Sequence, residues 1–432
     1  MRASTINSYL FEKNRQKLKR RLPALSVAIL VSNDEMPRTA DQFYTYRQNS
    51  DLFYLTGIEQ PKTILCICPD FPDHRYHEIL FIEKPTEYQL TWFGNKLNIE
   101  EASKISGIKS IFWLIDFEKV LNELMHRARH VLLTFHENAR TFDEVPLRDV
   151  RYTEKIKGLF PLHRYERLGP IMSELRMIKE PEEIEMIQKA GEIAEKAFRK
   201  IAKLIKPGIN EFDIEAEIIS EFIHNGSTGH SFMPIIASGK SACILHYNSN
   251  CNICKDGDLV LIDIGAEYAY YNSDITRTFP INGKFSKRQL EIYNAVLTIH
   301  DKAISLIKPG TAIEKLNDDL IDLIEEQLIN LAIIEKENIE KQDPEKPVFK
   351  NYFKHSISHF LGIDVHDAGN KNDILMPGMV ISCEPGIYIE KEGIGIRLEN
   401  DILVTINGCL NLTRDIPIKP EEIEELMANS IK

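Results

Sequence analysis

The chain has 432 residues, of which 43% are apolar and 27% are charged, a composition typical of soluble globular proteins with two or three domains. Its formal net charge is −12, from 53 basic and 65 acidic residues, which argues against nucleic acid as its main partner. No apolar run reaches the roughly 18 residues that a membrane span needs. No signal-peptide cleavage site follows the first apolar stretch, so no membrane association is predicted.

Short apolar runs alternate with mixed polar stretches over the first part of the chain. We predict buried β-strands at residues 24–31, 63–68, 78–83, 110–115 and 130–135. Helical segments fall between these runs, so residues 1–165 are predicted to form an α/β domain. The stretch 160–173 contains two prolines and a glycine and is predicted to be a linker. A second domain would then occupy residues 173–432.

The second domain contains a repeated pattern. The phrase Leu-Ile-Lys-Pro-Gly occurs at residues 204–208 and again, letter for letter, at 306–310. Each copy is preceded by one helical pattern and followed by another, which begins after Asn210 in the first half and near Ile313 in the second. We therefore predict an α+β domain with a pseudo-twofold repeat. Helices would cover one face of a curved antiparallel sheet, and a functional site would lie on the other face.

Each half also contains an apolar strand that ends on a carboxylate, Asp263 in the first half and Glu384 in the second. A second acid follows each of them, Asp274 and Glu399, and the alternation around it predicts a strand with its carboxylates on one polar face. His359 lies between the two acid-bearing strands. An apolar strand buries an acid only when something compensates its charge, and two divalent cations would balance four carboxylates.

The predicted ligands indicate which metals would bind. Carboxylate oxygens with one imidazole suit manganese, iron or cobalt, with zinc as an alternative, and manganese is our first choice. Two ions that share bridging carboxylates lie at the separation used in two-metal hydrolysis. Such a pair lowers the pKa of a bound water to about 7 and polarises the carbonyl that is attacked.

The histidines of the second domain fall into two groups. His355 and His359 are four residues apart, as on one helical face, and with His366 they form a cluster of three. Ser356 follows His355 where an H-E-x-x-H zinc motif would need glutamate. A single histidine in an apolar context is usually structural, but three beside acid-bearing strands favour a functional site. The context of His246 leaves its role open.

The chain has seven cysteines, an odd number, without disulfide-like spacing. Cys251 and Cys254 form a C-x-x-C pair with no second pair, so a zinc ribbon has little support. Free thiols in a reducing compartment are the simpler interpretation, and a cytoplasmic location is predicted.

Together these residues resemble the aminopeptidase P and prolidase branch of the pita-bread metallopeptidases, and the resemblance covers nearly the whole chain. The matching stretches of the second domain are 246–247, 263–268, 273–280, 355–367, 384–388 and 395–401. In the first domain, residues 38–41 and 46–57 resemble the aminopeptidase P N-terminal domain, which methionine aminopeptidases lack. The resemblance implies the pita-bread fold for the second domain. One departure is Ser356, where some branches of the family have glycine.

The resemblance also implies a ligand set for two metal ions. Asp263 would bind one ion, and His359 and Glu384 would bind the other. Asp274 and Glu399 would bridge both ions. Glu384 would also be the general base that activates the bridging water.

Four further residues receive roles from the resemblance. His246 and His366 would contact the substrate and stabilise the tetrahedral intermediate. His355 would shape the pocket for the proline ring. Arg397 would hold one of the metal-binding carboxylates in place.

The predicted function is therefore that of a dinuclear-metal Xaa-Pro aminopeptidase, which releases the first residue of peptides with proline at the second position. The closest rival is prolidase, which cleaves Xaa-Pro dipeptides with the same ligands; residues 46–51 favour aminopeptidase P. Some pita-bread proteins have lost metal ligands and serve as binding modules, and creatinase hydrolyses another bond without metal. The family often forms homodimers or homotetramers through the N-terminal domain. Trp92 is a candidate for such a contact, and packing within its own domain is an equal alternative.

Overall fold

The computed structural model describes residues 6–94, 96–135 and 145–428, and the chain divides into two units, Thr5–Arg176 and Met177–Lys432. The helices of the first unit are α1 (Ser8–Lys19), α2 (Ser50–Thr56), α3 (Glu87–Phe93), α4 (Ile99–Ser106), α5 (Phe117–Met125), α6 (Arg148–Leu159) and α7 (Gly169–Met177). Its strands are β1 (Ser26–Val31), β2 (Pro37–Thr39), β3 (Gln42–Phe43), β4 (Ile64–Ile67), β5 (Glu78–Ile82), β6 (Ser110–Trp113), β7 (His130–Leu133) and β8 (Arg164–Arg167).

The helices of the second unit are α8 (Pro181–Ile201), α9 (Glu211–His224), α10 (Lys287–Leu306), α11 (Ile313–Asn330), α12 (Lys336–Glu340) and α13 (Pro420–Ala428). Its strands are β9 (Gly229–His230), β10 (Ile235–Ser238), β11 (Leu259–Ile264), β12 (Ala266–Tyr268), β13 (Tyr271–Asn272), β14 (Ile275–Pro280), β15 (Val380–Cys383), β16 (Gly386–Ile389), β17 (Ile394–Arg397), β18 (Asn400–Thr405) and β19 (Gly408–Asn411). None of the helices in the described ranges combines the length and apolarity that a membrane crossing requires.

A mixed six-stranded sheet in the order β6-β5-β4-β1-β7-β8 forms the centre of the first unit. β1 pairs in parallel with β7 and antiparallel with β4, and all of its residues are buried. A strand buried on both faces is apolar throughout, which makes it recognisable as a continuous apolar run. The five predicted strands are confirmed as β1, β4, β5, β6 and β7.

The predicted linker at 160–173 is wrong, because β8 and the start of α7 lie there. β8 is an edge strand that pairs in parallel with β7, and its sequence Arg-Tyr-Glu-Arg has no apolar run that would reveal it. Pro170 stands in the first turn of α7, where its missing N–H costs no hydrogen bond. The proline therefore begins a helix, and the first unit extends to Arg176.

In the second unit, helix pairs cover one face of each of two three-stranded sheets. α8 and α9 pack on the sheet β10-β11-β14 through a core that includes Val260, Ile262 and Ile264. α10 and α11 pack in the same way on β15-β18-β19. Because side chains alternate along a strand, Leu261 and Asp263 point to the face opposite the helices. The predicted α+β architecture with a pseudo-twofold repeat is confirmed.

The two Leu-Ile-Lys-Pro-Gly segments form matching turns between the helices of each pair. Gly208 and Gly310 both adopt a φ of 90°, a region that strongly favours glycine. Their backbone N–H groups donate to the carbonyl oxygens of Cys254 at 2.8 Å and Leu375 at 2.9 Å. The sequence repeat therefore reflects a repeated local structure.

The strands that carry the second acid of each half are interrupted, which differs from the prediction of continuous strands. β14 begins directly after Asp274, and Glu399 falls between β17 and β18. A Cβ atom on Gly265 would lie 1.8 Å from the carbonyl oxygen of Ser273, so only glycine permits the close approach of the chain beside Asp274. Both acids thus project from irregular breaks instead of from regular strands.

Candidate metal centre

Acidic side chains from both halves meet one histidine on the face of the sheets that the helices leave uncovered. Carboxylate oxygens of Asp274 and Glu399 and a ring nitrogen of His359 lie within 4.8 Å of one another, and all three residues are buried. Nε2 of His359 is 3.2 Å from Oδ2 of Asp274 and 3.6 Å from Oε1 of Glu384. Separations of this order would let one cation contact several of these atoms at once.

Asp263 contributes a carboxylate that is only partly satisfied by the protein. Its Oδ2 accepts a hydrogen bond from Nη2 of Arg397 at 2.5 Å. Its Oδ1 is buried and has no hydrogen-bond partner among the described residues. Buried carboxylate oxygens are rarely left without a partner, and a bound cation would supply one. The donor set therefore fits a metal ion.

The electrostatics of the cluster also fit a cation. Burial raises the pKa of Asp274 well above its ordinary value, and the charges of Asp263 and Glu384 add to the shift. Burial likewise raises the pKa of Glu399 well above its ordinary value, with Asp274 as the next cause. Burial raises the pKa of Glu384 although His359 opposes the shift. Four carboxylates gathered away from water repel one another, and two divalent cations would neutralise them.

His359 is oriented toward the acids by its neighbours. It lies on an irregular segment, so the prediction that His355 and His359 share a helical face is wrong. Its Nδ1–H donates to the carbonyl oxygen of Phe360 at 2.9 Å, which leaves the Nε2 lone pair directed at the carboxylates. Its backbone N–H donates to Oγ of Ser382, and its carbonyl accepts from the Ser382 N–H at 2.8 Å. These bonds attach the histidine to β15.

His355 is the end of a hydrogen-bonded chain that begins at Asp263. Nη1 of Arg397 donates to the hydroxyl of Tyr388 at 2.9 Å, and that hydroxyl lies 2.7 Å from Nε2 of His355. Nδ1 of His355 lies 2.9 Å from the carbonyl oxygen of Ser356. Burial, followed by the positive charge of Arg397, lowers the pKa of His355 to about 4. The ring is therefore neutral at pH 7, with Nδ1–H donating to Ser356 and Nε2 accepting from Tyr388.

His246 and His366 are the other two histidines with predicted roles in the site. The ring of His366 stands perpendicular to the ring of His359, with centroids 4.4 Å apart. His246 is exposed, and its charge is one of the causes that lower the pKa of His355. The neighbouring Tyr247 is buried and donates its hydroxyl to Oε2 of Glu211 at 2.8 Å, which fixes the segment that carries His246. His366 therefore packs against the ring of His359, whereas His246 is close enough to His355 to affect its pKa.

Three supporting residues were not assigned a role from the sequence. Oγ1 of Thr276 donates to Oε2 of Glu399 at 2.7 Å and accepts from Arg397. The hydroxyl of Tyr388 joins Arg397 to His355, as described above. The carboxylate of Asp401 is buried and accepts the backbone N–H of Asp274 at 3.2 Å. Strand alternation gives the only signal for two of them, because it sets Thr276 on the face of Asp274 and Asp401 on the face of Glu399.

Comparisons with known proteins give matches over both units. Residues 185–406 match the sequence model of metallopeptidase family M24, and residues 11–133 match that of the aminopeptidase P N-terminal domain. The Xaa-Pro aminopeptidase of Escherichia coli (strain K12) is 35% identical, over 99% of this chain and 100% of the relative. The mitochondrial intermediate cleaving peptidase 55 of Arabidopsis thaliana is 32% identical, over 96% of this chain and 82% of the relative. The solved structure of E. coli aminopeptidase P with the inhibitor Pro-Leu has a TM-score of 0.88 at 35% identity, over 99% of both chains.

Proposed function

Because the chain belongs to metallopeptidase family M24 and carries the aminopeptidase P N-terminal domain, we propose that it is an Xaa-Pro aminopeptidase that releases the first residue of peptides with proline at the second position. The observation that carries the chemistry is the buried group of Asp274, His359 and Glu399 beside the unpartnered oxygen of Asp263. The choice of proline rests on the relative's name and on the Pro-Leu inhibitor of the E. coli enzyme.

Two divalent metal ions would be held by five residues. Asp263 would bind one ion, His359 and Glu384 the other, and Asp274 and Glu399 both. Manganese is the first choice, with cobalt, iron or zinc as alternatives, because the donors are mainly hard oxygens. When bound, such ions lower the pKa of a shared water to about 7 and polarise the carbonyl that is attacked.

The remaining side chains would handle protons and orient the substrate. Glu384 would accept the proton of the attacking water, a role that suits a carboxylate whose pKa burial has raised. His246 and His366 would donate hydrogen bonds to the substrate and to the tetrahedral intermediate. His355, kept neutral by burial, would border the proline ring without adding a charge. Arg397 would hold Asp263 in the orientation that the metal requires.

Two other peptidase activities compete with this proposal. The proposed activity is chemically distinct because the nitrogen of an Xaa-Pro amide carries no hydrogen, and enzymes that need this N–H donor do not cleave the bond. A prolidase would cleave only Xaa-Pro dipeptides. The second alternative is a peptidase without a proline requirement, because the name of one relative, intermediate cleaving peptidase 55, does not mention proline.

The test is a matched set of three peptides with the same first residue: an Xaa-Pro-Xaa tripeptide, the Xaa-Pro dipeptide and an Xaa-Ala-Xaa tripeptide. Each is incubated with protein loaded with Mn²⁺, Co²⁺ or Zn²⁺, and products are read by mass spectrometry. We expect release of the first residue from the proline tripeptide and slower or no cleavage of the other two. Cleavage of the dipeptide alone would identify a prolidase, and equal cleavage of both tripeptides would remove the proline requirement. Purified protein that binds no divalent ion would instead favour a binding module or a creatinase-like activity.

We also propose a homodimer or homotetramer and a cytoplasmic location. α3 exposes the aromatic side chains of Tyr88, Trp92 and Phe93, each by more than 60%. Exposed aromatic clusters of this kind are typical of protein contacts. All seven cysteines, each within the described residues, are free thiols, which suits a reducing compartment. Light scattering of wild-type protein and of Trp92→Ala tests the first proposal, and cell fractionation tests the second.

A further inference from the structure

A buried ion pair lies in the second unit outside the candidate metal centre. Nζ of Lys179 is 2.9 Å from Oδ2 of Asp367, and each side chain is only 1% exposed. Removing two charges from water is costly, so a pair this deeply buried is weak evidence of stabilisation and needs another explanation. Asp367 directly follows His366 in the sequence, so the ion pair is joined to the segment that carries that histidine.

We call residues 359–367 the histidine loop, because it begins at His359 and ends just past His366. Its first end is attached to β15: the N–H of Leu361 donates to the carbonyl of Val380, and His359 exchanges hydrogen bonds with Ser382. Its middle is attached to Asn272, whose side-chain amide donates to the carbonyl of residue 363 at 2.7 Å. The metal-ligand end of the loop is therefore fixed by sheet hydrogen bonds.

The second end of the loop is closed by Asp367. Its backbone N–H donates to the carbonyl of Phe360 at 2.9 Å, and its carboxylate pairs with Lys179. A Cβ atom on Gly362 would lie 2.2 Å from Oδ2 of Asp367 and 3.0 Å from Cε of Lys179. The loop thus folds tightly around the ion pair, and glycine at position 362 makes room for it.

Lys179 is itself held against the sheet that carries the acids. Its backbone N–H donates to the carbonyl oxygen of Gly378 at 2.9 Å, and the N–H of Gly378 donates to the carbonyl oxygen of Val404 at 2.9 Å. Gly378 precedes β15, and Val404 belongs to β18, the two strands that lead to Glu384 and away from Glu399. The backbone of Lys179 is therefore fixed against the sheet, and its ammonium group holds the Asp367 end of the histidine loop.

We propose that Lys179 is a positioning residue that acts through Asp367 to set the location of His366 against the metal centre, and that it leaves His359 in place. This inference rests on the proposed function, in which His366 contacts the substrate. Lys179 would govern substrate binding and stabilisation of the intermediate, whereas metal binding would depend on the separately attached first end of the loop.

The test uses the double variant Lys179→Met/Asp367→Asn, which removes both charges and so leaves no unpaired buried charge. Gly362→Ala is a second route to the same displacement without any change of charge. Lys189→Met is the matched control, because Lys189 forms an ion pair with Glu192 at 2.8 Å in which both side chains are about half exposed. Each variant is made in the wild-type chain and in a His366→Ala background.

We expect the double variant to keep its metal content while kcat/KM on an Xaa-Pro-Xaa tripeptide falls by about 10- to 100-fold. In the His366→Ala background the same change should cost less than about twofold, because the group through which Lys179 acts is gone. An equal loss in both backgrounds, a loss of metal, or no loss at all would overturn the proposal. The Lys189→Met control should match the wild type.

A crystal structure of the double variant separates this inference from the proposed function. We expect the separation of 4.4 Å between the rings of His359 and His366 to increase, while Nε2 of His359 stays near Asp274. If His366 does not move, Lys179 has no positioning role, even in an active enzyme. If the wild type cleaves no Xaa-Pro peptide, the proposed function fails, and the displacement of His366 still decides the structural inference.

Discussion

The two halves of the second unit share their framework but differ in what is inserted between its parts. In both halves a helix leads through a Lys-Pro-Gly turn to a second helix, and an apolar strand then ends at an acid. Gly208 and Gly310 have the same φ of 90° and make equivalent hydrogen bonds. The corresponding acids are Asp263, the penultimate residue of β11, and Glu384, the residue directly after β15.

The segment between the second helix and the acid-bearing strand differs. In the first half, residues 225–258 contain β9, β10 and the exposed His246. In the second half, residues 331–379 are longer and carry His355, His359 and His366. The repeated elements therefore supply the carboxylates in pairs, whereas the unrepeated segments supply the histidines. This difference predicts that the two equivalent acids are not equivalent in function.

The largest effect should come from Glu384→Gln. Oε1 of Glu384 lies 3.6 Å from Nε2 of His359, and our proposal makes Glu384 the proton acceptor. Loss of this acceptor should lower kcat by about 10²- to 10⁴-fold, and excess Mn²⁺ should not restore it. Asp263→Asn should instead weaken metal binding and recover as Mn²⁺ is raised. Steady-state kinetics over a range of Mn²⁺ concentrations measures both. Glu390→Gln is the control, since Glu390 is exposed and pairs with Lys354. Recovery of Glu384→Gln with metal would contradict the proton-transfer role.

A smaller loss is expected from breaking the link between the halves. Arg397 of the second half donates to Asp263 of the first half and to Tyr388. Arg397→Met should lower metal affinity or kcat/KM by about 10- to 100-fold, because partners of ligands have effects of this size. Metal titration followed by calorimetry checks the affinity. Arg414→Met, at an exposed arginine of the same unit, should leave both quantities unchanged. An unchanged affinity and an unchanged kcat/KM in Arg397→Met would mean that the link has no role in the site.

This link also marks the limit of what the sequence could predict. The strands that lead to Asp263 and Glu384 follow from local periodicity, and the structure confirms them. The matching turns follow from the repeated Leu-Ile-Lys-Pro-Gly segment. The hydrogen bond from Arg397 to Asp263 joins residues 134 apart, and no local pattern records that distance. β8 escaped prediction for a related reason: its pairing with β7 stabilises a polar segment that has no strand pattern of its own. Both features depend on contacts between residues that are distant in the sequence, so local sequence patterns do not predict them.

The crowded carboxylates predict a pH dependence of the metal-free protein. Burial and mutual repulsion raise the pKa values of Asp274, Glu384 and Glu399 above those of the unfolded chain. The folded state therefore binds protons more tightly, so stability is greatest below the unfolded pKa values and is lost as pH rises through the folded ones. Each pKa unit of difference is worth about 1.4 kcal/mol.

Thermal unfolding measures this effect. With metal removed, the unfolding midpoint should fall by several degrees as pH rises above about 4, the ordinary pKa of a carboxyl group, at roughly 2–4 °C for each kcal/mol of stability lost. Mn²⁺ should abolish the fall, because the cations bind the ionised carboxylates. Glu399→Gln, which removes one charge of the cluster, should flatten the curve of the metal-free protein. A midpoint that rises with pH would show that the acids are already compensated without metal.

The smallest effect tests the framework that the halves share. Gly208→Ala and Gly310→Ala each place a side chain at a φ of 90°, and nothing lies within 4 Å of the added Cβ atom at either site. Backbone strain alone should therefore destabilise each variant by about 1–2 kcal/mol, as for other L-residues in the left-handed region. Gly158→Ala, in α6, should act in the opposite direction by about 0.5–1 kcal/mol, because alanine favours a helix. Equal shifts in the unfolding midpoint would mean that the two turns are energetically as well as geometrically equivalent. A clearly larger shift at one of them would mean that only that half limits the stability of the unit, and the repeat would then be one of shape alone.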